Sequence, residues 1–229
     1  QMARSAAVDA HDRLLGGQVG EVVAGVVHRG QSAVADECSY TLGVRVVAGT
    51  LRGRQVVAPA GMATRPTTDR AREATFNSLV SLGAVEGATV VDLFAGSGAL
   101  GIEALSRGAA SCRFIERDRK ALEAIRTNIS HLGITDRATV LAGDVATTVV
   151  ALRDIDLVLA DPPYDYSAWE SLLSLLVPVL AEGAVVVVES GREVAPPDGW
   201  EVIRSKRYGR AWVSFLTYDA ARVGTVDPV

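Results

Sequence analysis

Short apolar segments with strand-like composition alternate with helical segments between residues 88 and 190. This alternation restricts the fold more than any other feature, because a strand, a helix and a second strand in succession usually give two parallel strands. Helices then cover both faces of the resulting sheet. The predicted strands are 89–94, 112–116, 139–142, 155–160 and 185–189. The predicted helices are 100–106, 118–132, 145–152 and 169–180.

A smaller element is predicted before this region. Two β-branched runs, 44–49 and 54–59, surround a glycine-containing connection, which is typical of a hairpin. A helix is expected after Pro66, because residues 67–69 supply side-chain oxygens for its first turn. This helix is expected to end near Gly83.

Two final strands, 200–208 and 211–218, meet at Gly209 and predict an antiparallel edge. The whole pattern predicts an α/β fold with a mostly parallel, seven-stranded sheet, preceded by the small hairpin and helix. The start of the chain lacks a sustained period, so we expect it to be disordered or an extension outside the working domain. The expected division is an extension at 1–42, the hairpin and helix at 43–87, the main domain at 88–219 and a tail at 220–229.

Composition excludes several classes of protein. Hydrophobic residues make up 48% of the chain and charged residues 22%, which excludes disorder throughout. No apolar run approaches the roughly 20 residues of a membrane helix, and we expect neither a membrane anchor nor a signal peptide. Two cysteines and three scattered histidines show no metal-ligand spacing, which favours reduced thiols in a cytoplasmic protein without a bound metal.

The net charge of −4 conceals two basic segments. Six arginines stand against two acidic residues between residues 41 and 80, and four basic residues against one acid between 200 and 212. Such segments could meet a phosphate backbone, and they could equally be solvated surface charge. The sequence leaves both interpretations open.

A glycine-rich turn, Gly96-Ser97-Gly98-Ala99-Leu100-Gly101, follows the first strand of the main domain. Its glycines allow a tight turn and a close approach to a ligand, and the helix that begins there offers free N–H groups. Glu116 ends the next strand, where a carboxylate can accept both hydroxyls of a ribose, as found in NAD and in S-adenosylmethionine. Asp92, just before the turn, would repel a pyrophosphate and suit an ammonium or sulfonium group, which favours S-adenosylmethionine.

Asp144 ends the third strand of the main domain. Its carboxylate is placed to accept a hydrogen bond from an adenine amino group. It could equally cap the helix that follows, and the sequence does not decide between these roles.

The most specific motif is Asp161-Pro162-Pro163-Tyr164, directly after the fourth strand. The prolines lock the backbone and donate no N–H, so the carbonyls and the Asp161 carboxylate can act together as acceptors. Tyr164 adds a flat face on which a base can stack. Two acceptors that hold an exocyclic amine would turn its lone pair toward an electrophile, which predicts catalysis by positioning and electrostatics.

These motifs resemble those of class I S-adenosylmethionine-dependent methyltransferases that methylate amines. More narrowly, the segments 64–70, 72–73, 76–77, 91–98 and 161–164 resemble the RsmD-like family, and the similarity extends over residues 44–218. The resemblance implies a Rossmann-like class I methyltransferase fold with S-adenosyl-L-methionine as cofactor. It also implies methylation of the N2 amine of guanine-966 in 16S ribosomal RNA. We expect the RNA to be bound within a small-subunit particle, and we take a monomer as the default state.

The resemblance further implies roles for individual residues. Asp161 and the Pro162 carbonyl would orient the guanine amine, and Tyr164 would stack on the base. Glu116 would hold the ribose and Asp144 the adenine. The expected catalytic residues are Asp161, Pro162, Pro163 and Tyr164. The expected cofactor-binding residues are Asp92, Phe94, Ala95, Gly96, Ser97, Gly98, Glu116, Arg117, Asp144 and Val145.

Five arginines are candidates for RNA binding. Arg65, Arg70 and Arg72 would flank the entrance to the site, and Arg207 and Arg210 belong to the second basic segment. For Arg70 and Arg72, simple helix-surface charge is an equally good interpretation.

Three other functions remain possible from the residues themselves. A DNA adenine-N6 methyltransferase could use the same acceptor motif, although little chain remains for a target-recognition domain. An NAD-dependent oxidoreductase fits the glycine turn and Glu116 but leaves Asp92 and residues 161–164 unexplained. A non-catalytic RNA-binding module in ribosome assembly fits the basic segments but leaves the acceptor motif without a role.

Overall fold

The computed structural model describes residues 40–59 and 66–222. An antiparallel hairpin, β1 (Tyr40–Arg45) and β2 (Gln55–Pro59), comes first. Helix α1 (Pro66–Ser81) follows and buries Phe76 and Leu79 completely. These elements agree with the sequence prediction, except that β1 begins and ends about four residues earlier than expected. The proposed extension 1–42 lies outside the described residues up to position 39.

The main domain is a seven-stranded sheet with the order β5-β4-β3-β6-β7-β9-β8. Five strands are parallel, and β9 and β8 close the sheet as an antiparallel pair. This confirms the predicted fold class. The strands are β3 (Thr89–Leu93), β4 (Ser111–Glu116), β5 (Ala138–Ala142), β6 (Ile155–Ala160), β7 (Leu180–Ser190), β8 (Trp200–Tyr208) and β9 (Ala211–Tyr218).

Four helices of this domain connect the parallel strands: α2 (Ala99–Ser106), α3 (Arg119–Leu132), α4 (Val145–Thr148) and α5 (Trp169–Leu176). Helices α2 and α3 pack on one face of the sheet, and α4 and α5 pack on the other. The predicted helix 169–180 is wrong at its end, where a 3-10 turn replaces the helix and β7 begins at Leu180. Pro178 explains this difference, because it lacks the N–H that a continuing α-helix needs.

The order of the strands reverses between β3 and β6. From β3 the chain moves outward through β4 to β5, and it then returns to the other side of β3 to form β6 and β7. In such sheets a crevice opens at the carboxyl ends of the strands where the order reverses. The predicted cofactor-binding and catalytic residues lie at or after the carboxyl ends of β3 and β6 and of the next two strands, β4 and β5.

Two buried polar side chains join the N-terminal hairpin region to the main domain. Glu103 is fully buried on α2 and accepts hydrogen bonds from the backbone N–H groups of Val47 and Ala48, at 2.7 and 3.1 Å. Asn128 on α3 bonds both the N–H and the carbonyl of Val57, each at 2.9 Å, and also donates to the Ser97 carbonyl at 2.9 Å. Asn128 therefore connects β2 directly to the glycine turn.

Within residues 40–59 and 66–222, the structure has no helix with the length and apolarity needed to cross a membrane.

Candidate active site at the carboxyl edge of the sheet

A cavity of about 830 Å³ lies at the carboxyl ends of β3, β4, β5 and β6. That volume is within the range of small-molecule and cofactor sites. We call it the acidic cavity, because its lining includes six carboxylates and one arginine. The predicted residues that line it are Asp92, Phe94, Ala95, Gly96, Ser97, Glu116, Arg117, Asp144, Val145, Asp161, Pro162, Pro163 and Tyr164.

The glycine turn is held in an unusual backbone conformation. Phe94, Gly96 and Gly98 all have positive φ, at 59°, 56° and 80°. A positive φ at a residue other than glycine raises the free energy of the folded chain by about 1–2 kcal/mol. The backbone at Phe94 is therefore strained, as is often found at binding sites. Asp92 compensates in part, because its buried carboxylate accepts a hydrogen bond of 2.8 Å from the Gly101 N–H in the first turn of α2.

Gly98 is the one predicted cofactor-binding residue that does not line the acidic cavity. A Cβ added there would point into the core, 3.3 Å from the Phe114 ring and 3.4 Å from Ile102. The expectation that this glycine clears space for a ligand is therefore wrong. Glycine is needed at position 98 for the left-handed conformation at the start of α2 and for packing against β4.

Glu116 is fixed by the backbone on both of its oxygens. Its Oε2 accepts from the Gly96 N–H at 2.8 Å. Its Oε1 accepts from the N–H groups of Arg117 and Asp118, at 2.7 and 2.8 Å. These bonds hold the carboxylate in one orientation beside the glycine turn and leave lone pairs for ligand hydroxyls.

Asp144 caps α4, accepting a hydrogen bond of 2.9 Å from the Ala146 N–H through Oδ1. Its Oδ2 lies 3.7 Å from the guanidinium of Arg117. The side chain still lines the acidic cavity. Asp144 therefore caps the helix through Oδ1. Its Oδ2 is not used by the cap and can interact with Arg117 or with a ligand.

The corner formed by residues 161–164 faces the glycine turn across the cavity. Pro162 is buried, whereas Asp161 is exposed through the cavity opening and the Tyr164 side chain is 63% exposed. The Pro163 carbonyl accepts from the Tyr166 N–H at 2.9 Å, which closes the turn. Protein atoms around the Asp161 carboxyl reduce its hydration enough to raise its pKa from 3.8 to about 6.

The sequence analysis did not name Glu189, which lies beside Asp161 but is not among the residues that line the acidic cavity. It follows Val188, which pairs with Ala160, so Glu189 and Asp161 occupy adjacent positions at the ends of β7 and β6. Desolvation and, secondarily, the Asp161 charge raise the pKa of Glu189 from 4.5 to about 8. A signal was available, because an acid ends this strand just as Asp92 and Glu116 stand at the ends of theirs.

Tyr166 was also missed. Its ring makes edge-to-face contacts with Phe94, at 5.2 Å between centroids, and with Trp169, at 5.0 Å. Both Phe94 and Tyr166 line the acidic cavity. These rings form an apolar wall suited to the flat face of a nucleobase or adenosine.

The four candidate arginines within the described residues differ in their surroundings. Arg65 is outside the described residues, and Arg70 is exposed on α1. Arg72 is only 7% exposed, and its guanidinium donates to the Arg45 carbonyl at 2.8 Å, so the surface-charge interpretation is wrong, while its contact with RNA stays a prediction. Its bond to β1 stabilises the hairpin. Arg207 and Arg210 line a second, smaller cavity beside Tyr164.

The charges around the acidic cavity favour a cationic ligand. Asp92 is 1% exposed, and burial raises the pKa of its carboxyl well above the usual value, against the Gly101 hydrogen bond. The charges of Asp161 and Glu116 raise it further. Because these carboxylates repel one another, a positive group placed among them would be stabilised. These carboxylates fit a ligand with a sulfonium and an ammonium group, and they do not fit a pyrophosphate.

This strand order, with a glycine turn after the central β3 and acids at the neighbouring strand ends, is the architecture of class I methyltransferases. The solved structure of yhhF from Escherichia coli matches it with a TM-score of 0.68 at 35% identity, covering 77% of this chain and 98% of that chain. Ribosomal RNA small subunit methyltransferase D of Escherichia coli is 34% identical over 189 residues, covering 80% of this chain and 93% of that protein. YlbH of Bacillus subtilis is 40% identical over 161 residues, covering 68% and 86% of the two chains.

The protein family described as Conserved hypothetical protein 95 matches residues 44–217. The matched range begins near the end of β1 and contains β2, the glycine turn, the acceptor corner and all but the last residue of the antiparallel edge. The chain therefore belongs to this family, the RsmD family of methyltransferases. This confirms the resemblance drawn from the motifs.

Proposed function

We propose that the protein transfers a methyl group from S-adenosylmethionine to the exocyclic N2 amine of a guanine in 16S ribosomal RNA, guanine-966 by family resemblance. In this proposal it acts as a cytoplasmic monomer on a small-subunit particle. The observation that carries the proposal is that the Asp161–Tyr164 corner and the glycine turn open onto the same cavity. The likeness to ribosomal RNA small subunit methyltransferase D supports an RNA substrate.

The acidic cavity offers a complete set of contacts for the cofactor. Asp92 and the backbone of the glycine turn would hold the methionine part, and Glu116 would accept the two ribose hydroxyls. Asp144, through the oxygen that does not cap α4, would accept from the adenine amine. When bound, S-adenosylmethionine supplies an electrophilic methyl group on a sulfonium.

The acceptor corner would prepare the amine for attack. The Asp161 carboxylate and the Pro162 carbonyl would each accept one N–H of the guanine amine, while Tyr164 stacks on the base. The lone pair of the nitrogen then points toward the methyl group. As the new C–N bond forms, the bond between the methyl carbon and sulfur would break and leave its electron pair on sulfur as a neutral thioether, and one amine proton must leave the nitrogen. A carboxylate with a pKa of about 6 can accept it near neutral pH and release it to solvent.

Undermethylated small-subunit particles, labelled S-adenosylmethionine and the purified protein provide the direct test. We expect label in N2-methylguanosine after nucleoside mass spectrometry. Label in N6-methyladenine on duplex DNA would support the DNA enzyme instead. Absence of transfer to any particle, with particle binding intact, would support the non-catalytic module.

The cofactor assignment has its own test. Calorimetry should detect binding of S-adenosylmethionine and no binding of NAD under the same conditions. Preferential binding of NAD would contradict the assignment and support an oxidoreductase.

A further inference from the structure

A second cavity, of about 360 Å³, adjoins the acidic cavity. Its lining consists of Tyr164, Gly191, Arg207 and Arg210, and we call it the arginine cavity. Tyr164 lines both cavities, so this exposed side chain stands between them. A ligand that stacks on Tyr164 from the acidic side would therefore place its attached groups near the arginine side.

Gly191 keeps Tyr164 in this position. A Cβ added at Gly191 would lie 3.3 Å from Cδ1 of the Tyr164 ring and 3.8 Å from its carbonyl oxygen. The chain after β7 thus packs directly against the tyrosine. Any larger side chain at position 191 would press on the ring and change the boundary between the cavities.

The two arginines come from one tight turn. Arg207 pairs with Trp212 and Tyr208 with Ala211, so only Gly209 and Arg210 connect β8 to β9. The Arg207 Nε donates to the Gly209 carbonyl at 2.9 Å, which orients the guanidinium. Within the described part of the chain, the other nitrogens of Arg207 and the whole guanidinium of Arg210 make no hydrogen bond or ion pair.

The two cavities have opposite charge. Six carboxylates line the acidic cavity, whereas two arginines are the only charged residues that residues 40–59 and 66–222 contribute to the arginine cavity. A phosphodiester would be repelled from the first and attracted to the second. Arginine is also the side chain best suited to bind phosphate oxygens through several N–H groups.

We propose that the arginine cavity binds a phosphodiester group of the RNA next to the target nucleotide while its base enters the acidic cavity over Tyr164. The proposal rests on the proposed function, since it assigns the neighbouring part of the same RNA substrate. It accounts for the opposite charges of two cavities that share one aromatic side chain. It also gives the β8–β9 turn a role in placing the strand.

The test compares Arg207→Ala, Arg210→Ala and the double variant with Arg126→Ala. Arg126 is exposed on α3 and lines neither cavity, so the control removes one positive charge elsewhere, as each single variant does. Binding to undermethylated small-subunit particles is measured without cofactor over a range of salt concentrations. S-adenosylmethionine affinity is measured by calorimetry for every variant.

We expect the double variant to bind particles at least 10-fold more weakly than the Arg126→Ala control at equal salt. Its slope of log affinity against log salt should be smaller by about 0.7 for each phosphate that the protein no longer neutralises. Cofactor affinity should be unchanged in all variants. The KM for particles should rise with little change in kcat.

Equal particle affinity and equal salt dependence in the double variant and the control would overturn the inference. This result is distinguishable from failure of the proposed function. In that second case the wild-type protein forms no N2-methylguanosine, whatever the variants do to particle binding. An unfolded variant is recognised by loss of cofactor binding, and Arg207→Lys and Arg210→Lys then replace the alanines, with a partial loss of affinity expected.

Discussion

The glycine turn and the acceptor corner face each other across one cavity, yet they are built in opposite ways. On the glycine side, Asp92 and Glu116 receive four backbone N–H hydrogen bonds, and Asn128 holds the Ser97 carbonyl. On the other side, the carboxyls of Asp161 and its neighbour Glu189 accept no hydrogen bond within the described residues, and desolvation raises both pKa values without an opposing backbone bond such as the one that Asp92 accepts from Gly101.

This difference suggests separate roles, with the glycine side binding the cofactor and the acceptor corner taking part in methyl transfer. Carboxylates that are bonded to the backbone hold a rigid loop, and mutation there should reduce stability. Carboxyls without internal partners are available to the substrate, and the reduced hydration that raises their pKa values costs stability in the free protein when they are ionised. Mutation in the acceptor corner should therefore reduce turnover while leaving the fold unchanged or more stable.

The largest effect is expected for Asp161→Asn. Asn keeps one accepting oxygen but replaces the other by an NH2 group, which donates, and it cannot take up the amine proton, so methyl transfer should fall by about 10²–10⁴-fold. Single-turnover kinetics measure the rate of methyl transfer, and calorimetry should show nearly unchanged affinity for the cofactor. Asp165→Asn, an exposed neighbour that lines the same cavity, is the control. Equal losses of binding and turnover at position 161 would mean that Asp161 serves the cofactor.

The second effect concerns Tyr164→Ala. Removal of a stacking face should weaken particle binding by about 1–3 kcal/mol, or roughly 5–150-fold, while thermal stability stays near the wild-type value. Tyr164→Phe retains the ring and should retain most of the affinity. If Phe and Ala variants behave alike, the hydroxyl rather than the ring matters.

On the glycine side, Gly101→Ala should lower the free energy of unfolding by about 1–3 kcal/mol. The added Cβ would lie 2.6 Å from Cys112 Sγ and closer still to the Phe114 ring, which outweighs the helical preference for alanine. Urea denaturation provides the measurement. Gly133→Ala has open space around the new Cβ but a φ of +69°, so it reports backbone strain alone. Unchanged stability at position 101 would show that α2 can shift away from β4.

The smallest effect is expected for Glu189→Gln, which should increase the free energy of unfolding at high pH only. The folded protein binds a proton at Glu189 more tightly than the unfolded chain, because its pKa is raised from 4.5 to about 8. Wild-type stability should therefore decrease as pH rises through this window. The variant should be more stable by about 1–2 kcal/mol at pH 9 and equal to wild type at pH 4.

Glu182→Gln, exposed near the start of the same strand, is the control for this pH series. Denaturation midpoints at several pH values should separate the two variants only at high pH. A gain for Glu189→Gln that does not depend on pH would show that the carboxyl is not the cause.

Much of the site could be predicted from the sequence because parallel strands have their carboxyl ends at one edge. Asp92, Glu116, Asp144 and Asp161 end or follow four different strands, so the alternation of elements alone placed them together. The position of the Asp161–Tyr164 motif at this edge could be predicted for the same reason, because it directly follows a parallel strand. The boundaries of individual elements were less predictable, as Pro178 shows, because helix termination there also depends on the start of β7.

The sequence by itself determined the doubly covered parallel sheet and the set of residues at its edge, since both depend on local patterns repeated along the chain. Only the tertiary structure decided what each side chain faces. It turned Gly98 toward the core, buried Arg72 beneath the hairpin, set Glu189 beside Asp161 and placed Tyr164 between two cavities of opposite charge. These outcomes depend on contacts between residues that are distant in the chain. Such contacts cannot be predicted from the spacing of residues along the sequence.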